Sequence, residues 1–265
     1  MAGKKFKKYL KIWWISTIRV TQIALTSRVG AVMFILGKIL RFAFFLMFLL
    51  ILASRTNAIA DYSIYQIIFI FATFNIVDTT SQLLFREVYR FRYYVVSGEL
   101  DYFLTKPISV LWRCLFGGSD ILDVPILLIS LFFIAYSAIQ LPNISPVSVI
   151  LYVLLLANAL IIALALHIMV LALGVLTTEI DHTIMIYRDL TQMARLPVDI
   201  YREPLRFIIT FVIPVGVMMT VPAKSFFGVL PPMLFVFALA ISVILLIVSL
   251  RFWRFALKNY SSVSS

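Results

Sequence analysis

The feature that most constrains this chain is a succession of apolar runs long enough to cross a bilayer, at roughly 39–54, 64–84, 115–140, 149–175, 207–222 and 232–250. About 20 apolar residues in a helix match the hydrocarbon thickness, and only a helix or a closed barrel satisfies its own backbone polar groups there. Six such runs take up about 120 positions of a chain of 265 residues, which leaves no comfortable room for a second, soluble domain. Composition agrees: 63% of residues are hydrophobic, 13% are charged and the mean hydropathy is +1.04, against about 45–50% and about 25% in soluble chains. A soluble enzyme, a disordered tail and a collagen-like rod are excluded. The single cysteine, Cys114, excludes an internal disulfide framework and a cysteine-rich metal site. The expected fold is an all-α integral membrane protein with six transmembrane helices, forming one domain over residues 1–265. The first run has Lys38 and Arg41 at its entrance and the fifth is interrupted by Pro214, so their boundaries are the softest.

The segments between runs fall into two alternating sets. One holds residues 1–38, 85–114, 176–206 and 251–265; the other holds 55–63, 141–148 and 223–231. Twenty Lys and Arg lie in the first set, and only Arg55 and Lys224 in the second. Cationic loops resist translocation and face anionic inner-leaflet lipid, so both termini are expected in the cytoplasm. The net charge of +11 is thereby explained by the membrane, and nucleic acid is not an expected partner. Residues 1–30 lack the uninterrupted apolar stretch and small-residue cleavage site of a secretory signal, and are expected to remain in place. Phe6, Leu10, Trp13, Thr17, Val20 and Ala24 recur at helical spacing, while Lys4, Lys8 and Lys11 fall largely to the other side. This reads as an amphipathic helix lying in the interface, with Trp13 and Trp14 at headgroup depth and the lysines toward anionic lipid; a frayed basic tail is the other reading.

Polar groups inside hydrocarbon are costly and mark either function or packing. Asn75, Asp78 and Gln82 stand at i, i+3 and i+7 of the second run and share a face. They read as a wall of a translocation path or as an interhelical hydrogen-bond patch. Asp120 and Asp123 resemble a carboxylate pair for acid and base chemistry, yet they lack a nearby histidine, and their place beside Arg113 favours caps or ion-pair partners. Asn158 and His167 are nine residues apart, hence on opposite faces of a helix, and form no joint site; His167 reads as a packing residue. Glu179, Asp181 and His182 point in divergent directions, so no metal is expected there. H-E-x-x-H, G-x-S-x-G and C-x-x-C are all missing, and Gly37-Lys38 is followed by Ile39 without the upstream glycine of a P-loop. No catalytic residue, metal or bound cofactor is therefore expected. The alternative is an intramembrane enzyme or a proton-coupled secondary carrier using Asp78 or the Asp120 and Asp123 pair. Asn143-Ile144-Ser145 matches a glycosylation sequon but is followed by Pro146 and is taken as chance.

The stretch Arg90 to Pro107 predicts a short amphipathic helix at about 97–107. Ser97 or Gly98 caps its start, Glu99 and Asp101 suit the positive end of the dipole, and Pro107 ends it. Leu100, Phe103 and Leu104 share one face, an apolar ridge that the membrane, the chain's own helices or a protein partner must cover. Gly98, Leu100, Asp101, Leu104, Lys106 and Pro107 fit a G-x-L-D-x-x-L-x-[KR]-P pattern. A second characteristic run follows the fourth span: Leu196-Pro197-Val198-Asp199-Ile200-Tyr201, then Pro204-Leu205-Arg206-Phe207, Ile213-Pro214, Val221-Pro222-Ala223 and Gly228.

In these residues, and over most of its length, the chain resembles the type-2 permeases of ATP-binding-cassette transporters. The resemblance implies a permease without enzymatic activity, paired with a second permease, identical or homologous, and with two copies of a cytoplasmic ATPase that carries the ATP and Mg. It implies a multi-pass protein of the cell membrane, with the bacterial plasma membrane as the expected location, exporting a hydrophobic or amphipathic compound. The segment 97–107, with Gly98 and Pro107 at its ends, would be the ATPase-binding coupling helix, Leu100, Phe103 and Leu104 docking in a groove of the ATPase and Glu99, Asp101 and Lys106 setting polar contacts at its edge. Pro214, Gly216 and the Pro231-Pro232 pair would supply bends on the outer side, and the link from 222 to 232 is too short for a large outer domain.

Overall fold

The structure, a computed structural model, describes residues 2–55, 61–142, 144–177 and 180–260, apart from the side chains of 2–4 and 180. Asn143 and Glu179, singled out above, lie outside the described residues. Among the described residues every regular element is a helix. After α1 (Ala2–Thr26) a break at Ser27 leads into α2 (Arg28–Arg55), and Ser63 and Gln66 form a reciprocal capping box at the start of α3 (Ile64–Leu84). A connector follows: a 3₁₀ turn at Arg86–Arg90, α4 (Phe91–Val96), α5 (Glu99–Leu104), α6 (Val110–Leu115) and a second 3₁₀ turn at Ile121–Asp123. Then come α7 (Val124–Gln140), α8 (Pro146–Thr177) and α9 (Ile180–Gln192). Next are α10 (Leu205–Phe207), extended by a π-helical turn at Ile208–Val212, α11 (Val215–Phe226) and α12 (Pro232–Lys258).

Five stretches have the length and apolarity of spans: Arg28–Arg55, Ile64–Leu84, Ile121–Gln140, Pro146–Thr177 and Pro232–Lys258. The first starts well before residue 39, so Lys38 and Arg41 lie inside the helix rather than at its mouth. The third starts after residue 115, because Gly118 (φ +147°) breaks the helix there. α3 is central, with two thirds of its span buried, while α2, with about a tenth buried, and α12 are peripheral. α3 packs along α7, and α8 along α11 and α12.

The fifth expected run, 207–222, departs from expectation. α8 and α12 run in the same direction: Asn158, in the first half of α8, donates to the Ala238 carbonyl (2.9 Å) near the start of α12, and α4 packs both on α8 and, through Phe91, on Trp253 near the end of α12. The chain must therefore return once between them. Residues 180–196 make that return. Tyr187 packs on His167 (4.7 Å between rings), Arg195 lies over Phe45 and Phe74 at mid-length of α2 and α3, and Asp199 arrives beside Tyr62, just before α3 begins. The apolar pair α10 and α11 instead bends by 87°, and Arg206 near its beginning and Lys224 near its end both bond Asp199. Two arms that share one carboxylate belong to a hairpin that re-enters and returns. Pro214 cannot donate to the helical ladder, and Gly216 permits the tight reversal, since a Cβ there would stand 3.0 Å from Val198 Cγ1 and 3.1 Å from Thr210 Oγ1. Periodicity and hydropathy single out the greasy hairpin and miss the polar strut, which buries Ile184, Thr191 and Ala194 and leaves Asp181, Arg188 and Asp189 exposed. Arg202 and Arg206 thus move to the opposite set of segments, Arg188 and Arg195 fall within the return, and the excess of cations on the connector side, sixteen to four, persists.

Candidate functional site: the connector and two buried polar nodes

The connector folds as a unit around Glu87. This carboxylate, 2% exposed, accepts from Arg113 (3.0 Å), Arg90 (3.4 Å) and the Tyr94 hydroxyl. Burial first, then the adjacent Glu87, pushes the Tyr94 phenol up. Gly117 leaves space for this node, because a Cβ there would meet Arg113 and Glu87 atoms. Phe103 meets Tyr94 edge to face (5.0 Å) and lies under the Arg113 guanidinium (5.0 Å).

Within the connector α5 is shorter than expected, and Gly98 (φ +74°) starts it without a side-chain cap. The anticipated ridge is split. Leu100 is fully buried in the chain's own core, Phe103 is partly buried there, and Leu104 is exposed. Glu99 receives the Tyr93 hydroxyl, and Asp101 faces Tyr260, just past α12; each carboxylate raises its partner's phenol, for Tyr260 after burial itself. The outward surface consists of Tyr102, Leu104, Thr105, Lys106 and Pro107, with Lys106 over the Tyr102 ring at 4.0 Å.

α1 is stapled to the rest of the connector. Lys8 donates to the Pro107 carbonyl (3.4 Å), the Ser109 amide to Tyr9 (3.1 Å), the Trp13 indole to Ser119 (3.2 Å) and the Ser119 amide to Thr17 (3.1 Å). Gly118 comes so close that a Cβ would lie 2.8 Å from Val20 and 3.1 Å from the Ser16 carbonyl. Cys114 is buried and its thiol is pushed up by that burial, so it offers no handle to an impermeant reagent.

Asn75, Asp78 and Gln82 do come together, on a cavity they share with Lys38, Arg41 and Arg195. Within α3, Asn75 donates to the Phe71 carbonyl and Gln82 to Asp78, both at 2.8 Å. The cavity, about 20 Å³, admits a water rather than a solute. Asp120 and Asp123 do not form a pair for catalysis: Asp120 caps Leu122 and meets Arg86 (3.5 Å), whereas Asp123 is bonded by Lys38. Asp181 pairs with Arg92 at 2.9 Å. His167 is buried among Phe85, Tyr89 and Tyr187, with Nδ1 on the Ala163 carbonyl. Among the described residues no group of three His, Cys, Asp or Glu is placed to hold a metal ion.

The second node, Asp199, was visible in sequence only as part of a motif. It takes Tyr62 (2.8 Å), Arg206 (2.9 Å) and Lys224 (2.8 Å). Burial alone would raise this carboxyl; hydrogen bonds from Lys224 and Tyr62 and the charges of Lys224 and Arg206 outweigh it, and the group titrates below its usual range. Tyr62 is shifted up, by burial and then by Asp199. Glu87 carried one sequence signal, an acid among arginines at the end of a span with Arg90 at i+3; beyond its motif Asp199 carried none that pointed to its partners, which are 137, 7 and 25 residues away.

No significant match is found among curated proteins. The family model described as ABC-2 family transporter protein matches residues 39–264, which takes in α3, the connector, the polar return and the re-entrant hairpin alike. With that match spanning most of the sequence, this multi-pass membrane chain belongs to the ABC-2 transporter family.

Proposed function

We propose that the chain is the permease subunit of an ATP-driven exporter of a hydrophobic or amphipathic compound. In this reading the connector faces the cytoplasm, where α5 and its flanks engage a separate ATPase carrying ATP and Mg; two permeases and two ATPases make the working assembly. The observation that carries the reading is the division of labour within α5. Leu100 anchors the helix in the bundle, and a fully buried leucine is worth about 1.5–3 kcal/mol, while Tyr102, Leu104 and Lys106 remain outside. A force applied to that outer face would pass through Leu100 and Glu87 into α3 and α8, and through the staples into α1. ATP-driven approach of two ATPases would thereby be converted into rigid-body movement of the spans. The docking surface is narrower than the sequence implied: Leu104 and Lys106 remain in it, Tyr102 joins it, and Leu100 and Phe103 act from within. The aromatic, weakly charged spans suit a hydrophobic load.

The test is co-purification. Leu104→Asp, at an exposed position, is expected to leave expression and insertion unchanged while cutting recovery of the ATPase at least tenfold, with loss of transport. Undiminished recovery of the ATPase with Leu104→Asp and with Tyr102→Ala would contradict the proposal.

A further inference from the structure

Between α1 and the connector lies a groove that the transport reading does not use. Its walls are Phe6, Tyr9 and Trp13 of α1, Trp112 and Phe116 from the connector, and Leu84 where α3 ends; it encloses about 450 Å³ and its lining is almost wholly apolar. Leu10 and Trp13 also border a second hollow of about 370 Å³, completed by Lys7, Lys11 and Trp14. The two hollows share Leu10 and Trp13, and the second is apolar as well, lined by the aliphatic stems of Lys7 and Lys11, whose ammonium groups stand at its edge. The groove is held open by construction, because the Tyr9 and Lys8 contacts to Ser109 and Pro107 fix α1 above the connector.

Charge and exposure identify the occupant. Residues 2–26 carry Lys4, Lys5, Lys7, Lys8, Lys11 and Arg19 and no acid. Beside the ammonium groups Phe6, Leu10 and Trp14 stand 69%, 51% and 57% exposed, a costly arrangement in water and a favourable one at a membrane surface. An acidic protein surface would satisfy the lysines but leave the slot wet. A neutral lipid would fill the slot but leave the lysine ammonium groups without an anion.

We infer that this groove is a binding site for an anionic phospholipid, one acyl chain lying between α1 and Trp112 and Phe116, the phosphate between Lys7 and Lys11. Such a lipid touches the connector itself. The site does not depend on the ATPase reading, and its test needs only the purified chain in vesicles. Phosphatidylcholine vesicles are doped with phosphatidylglycerol or with phosphatidylcholine carrying a photoreactive group on the acyl chain, and cross-linked peptides are mapped. Phosphatidylglycerol is expected to label peptides covering 5–14 and 110–116 at least tenfold more than phosphatidylcholine. The surface variant Lys7→Gln/Lys11→Gln is expected to lower that labelling roughly 30-fold, at about fivefold per lysine near an anionic surface. Equal labelling by the two lipids, or labelling unchanged in the double variant, overturns the site. So does a copurifying protein that shields these peptides, since the occupant would then be a protein.

Discussion

Asp199 shows how one side chain can set the shape of a whole segment. It ties the start of α3 to both arms of the re-entrant hairpin through Tyr62, Arg206 and Lys224. Asp199 and Lys224 are both well covered, with side chains 15% and 17% exposed, so their pairing lies nearer the buried than the surface regime. Asp199→Asn is expected to destabilise the protein by about 2–3 kcal/mol, read as a lower thermal midpoint in detergent at neutral pH. The pH dependence follows from the sign of the shift. A carboxyl whose folded value is depressed contributes fully above its unfolded value of about 3.9, and loses that contribution as the pH falls through the folded value. The wild-type midpoint should therefore drop on acidification below about pH 4, and the gap to Asp199→Asn should close; a constant gap would contradict the assignment. In sequence Asp199 and Arg206 are visible only as members of a motif, and the node itself leaves no local pattern, because Tyr62 and Lys224 lie 137 and 25 residues from Asp199.

At the scale of elements, the amphipathic reading of α1 was legible because a 3.6-residue period needs no partner to be seen, and Trp13, Thr17 and Val20 of that stripe do face the connector. α5 was legible as a helix but not in its orientation. Leu100, Phe103 and Leu104 share a face by periodicity, yet the six-residue helix sits edge-on, and tertiary packing decides which of them it hides. The seam between α1 and the connector depends on Gly118, whose φ of +147° and close approach to Val20 and Ser16 leave no space for a side chain. Gly118→Ala is expected to cost about 1–3 kcal/mol and to loosen α1, seen as faster hydrogen exchange over residues 9–20 with exchange in α8 unchanged. Unchanged exchange in α1 would show that the seam is not held there.

For the whole molecule, the apolar runs gave five spans directly, since hydrophobicity sustained over a bilayer's thickness has few other uses. The sixth crossing escaped because residues 180–196 carry Asp181, Arg188, Asp189 and Arg195 and are too polar to register, whereas the re-entrant hairpin imitates a span in composition. This exchange predicts a topology. With Cys114 replaced by Ser, a cysteine at position 202 should react with an impermeant thiol reagent from the outside, and one at position 105 only from within. Labelling of both positions from one side would contradict the return through 180–196.

The central claim is that force enters through the outer face of α5. A photoreactive amino acid placed in turn at positions 100 and 104 of the chain, in membranes containing its ATPase, tests this most directly. The account predicts a cross-link to the ATPase from position 104 and only intrachain products from position 100. Absence of any ATPase adduct from 104, or an equal yield from the two positions, would contradict it.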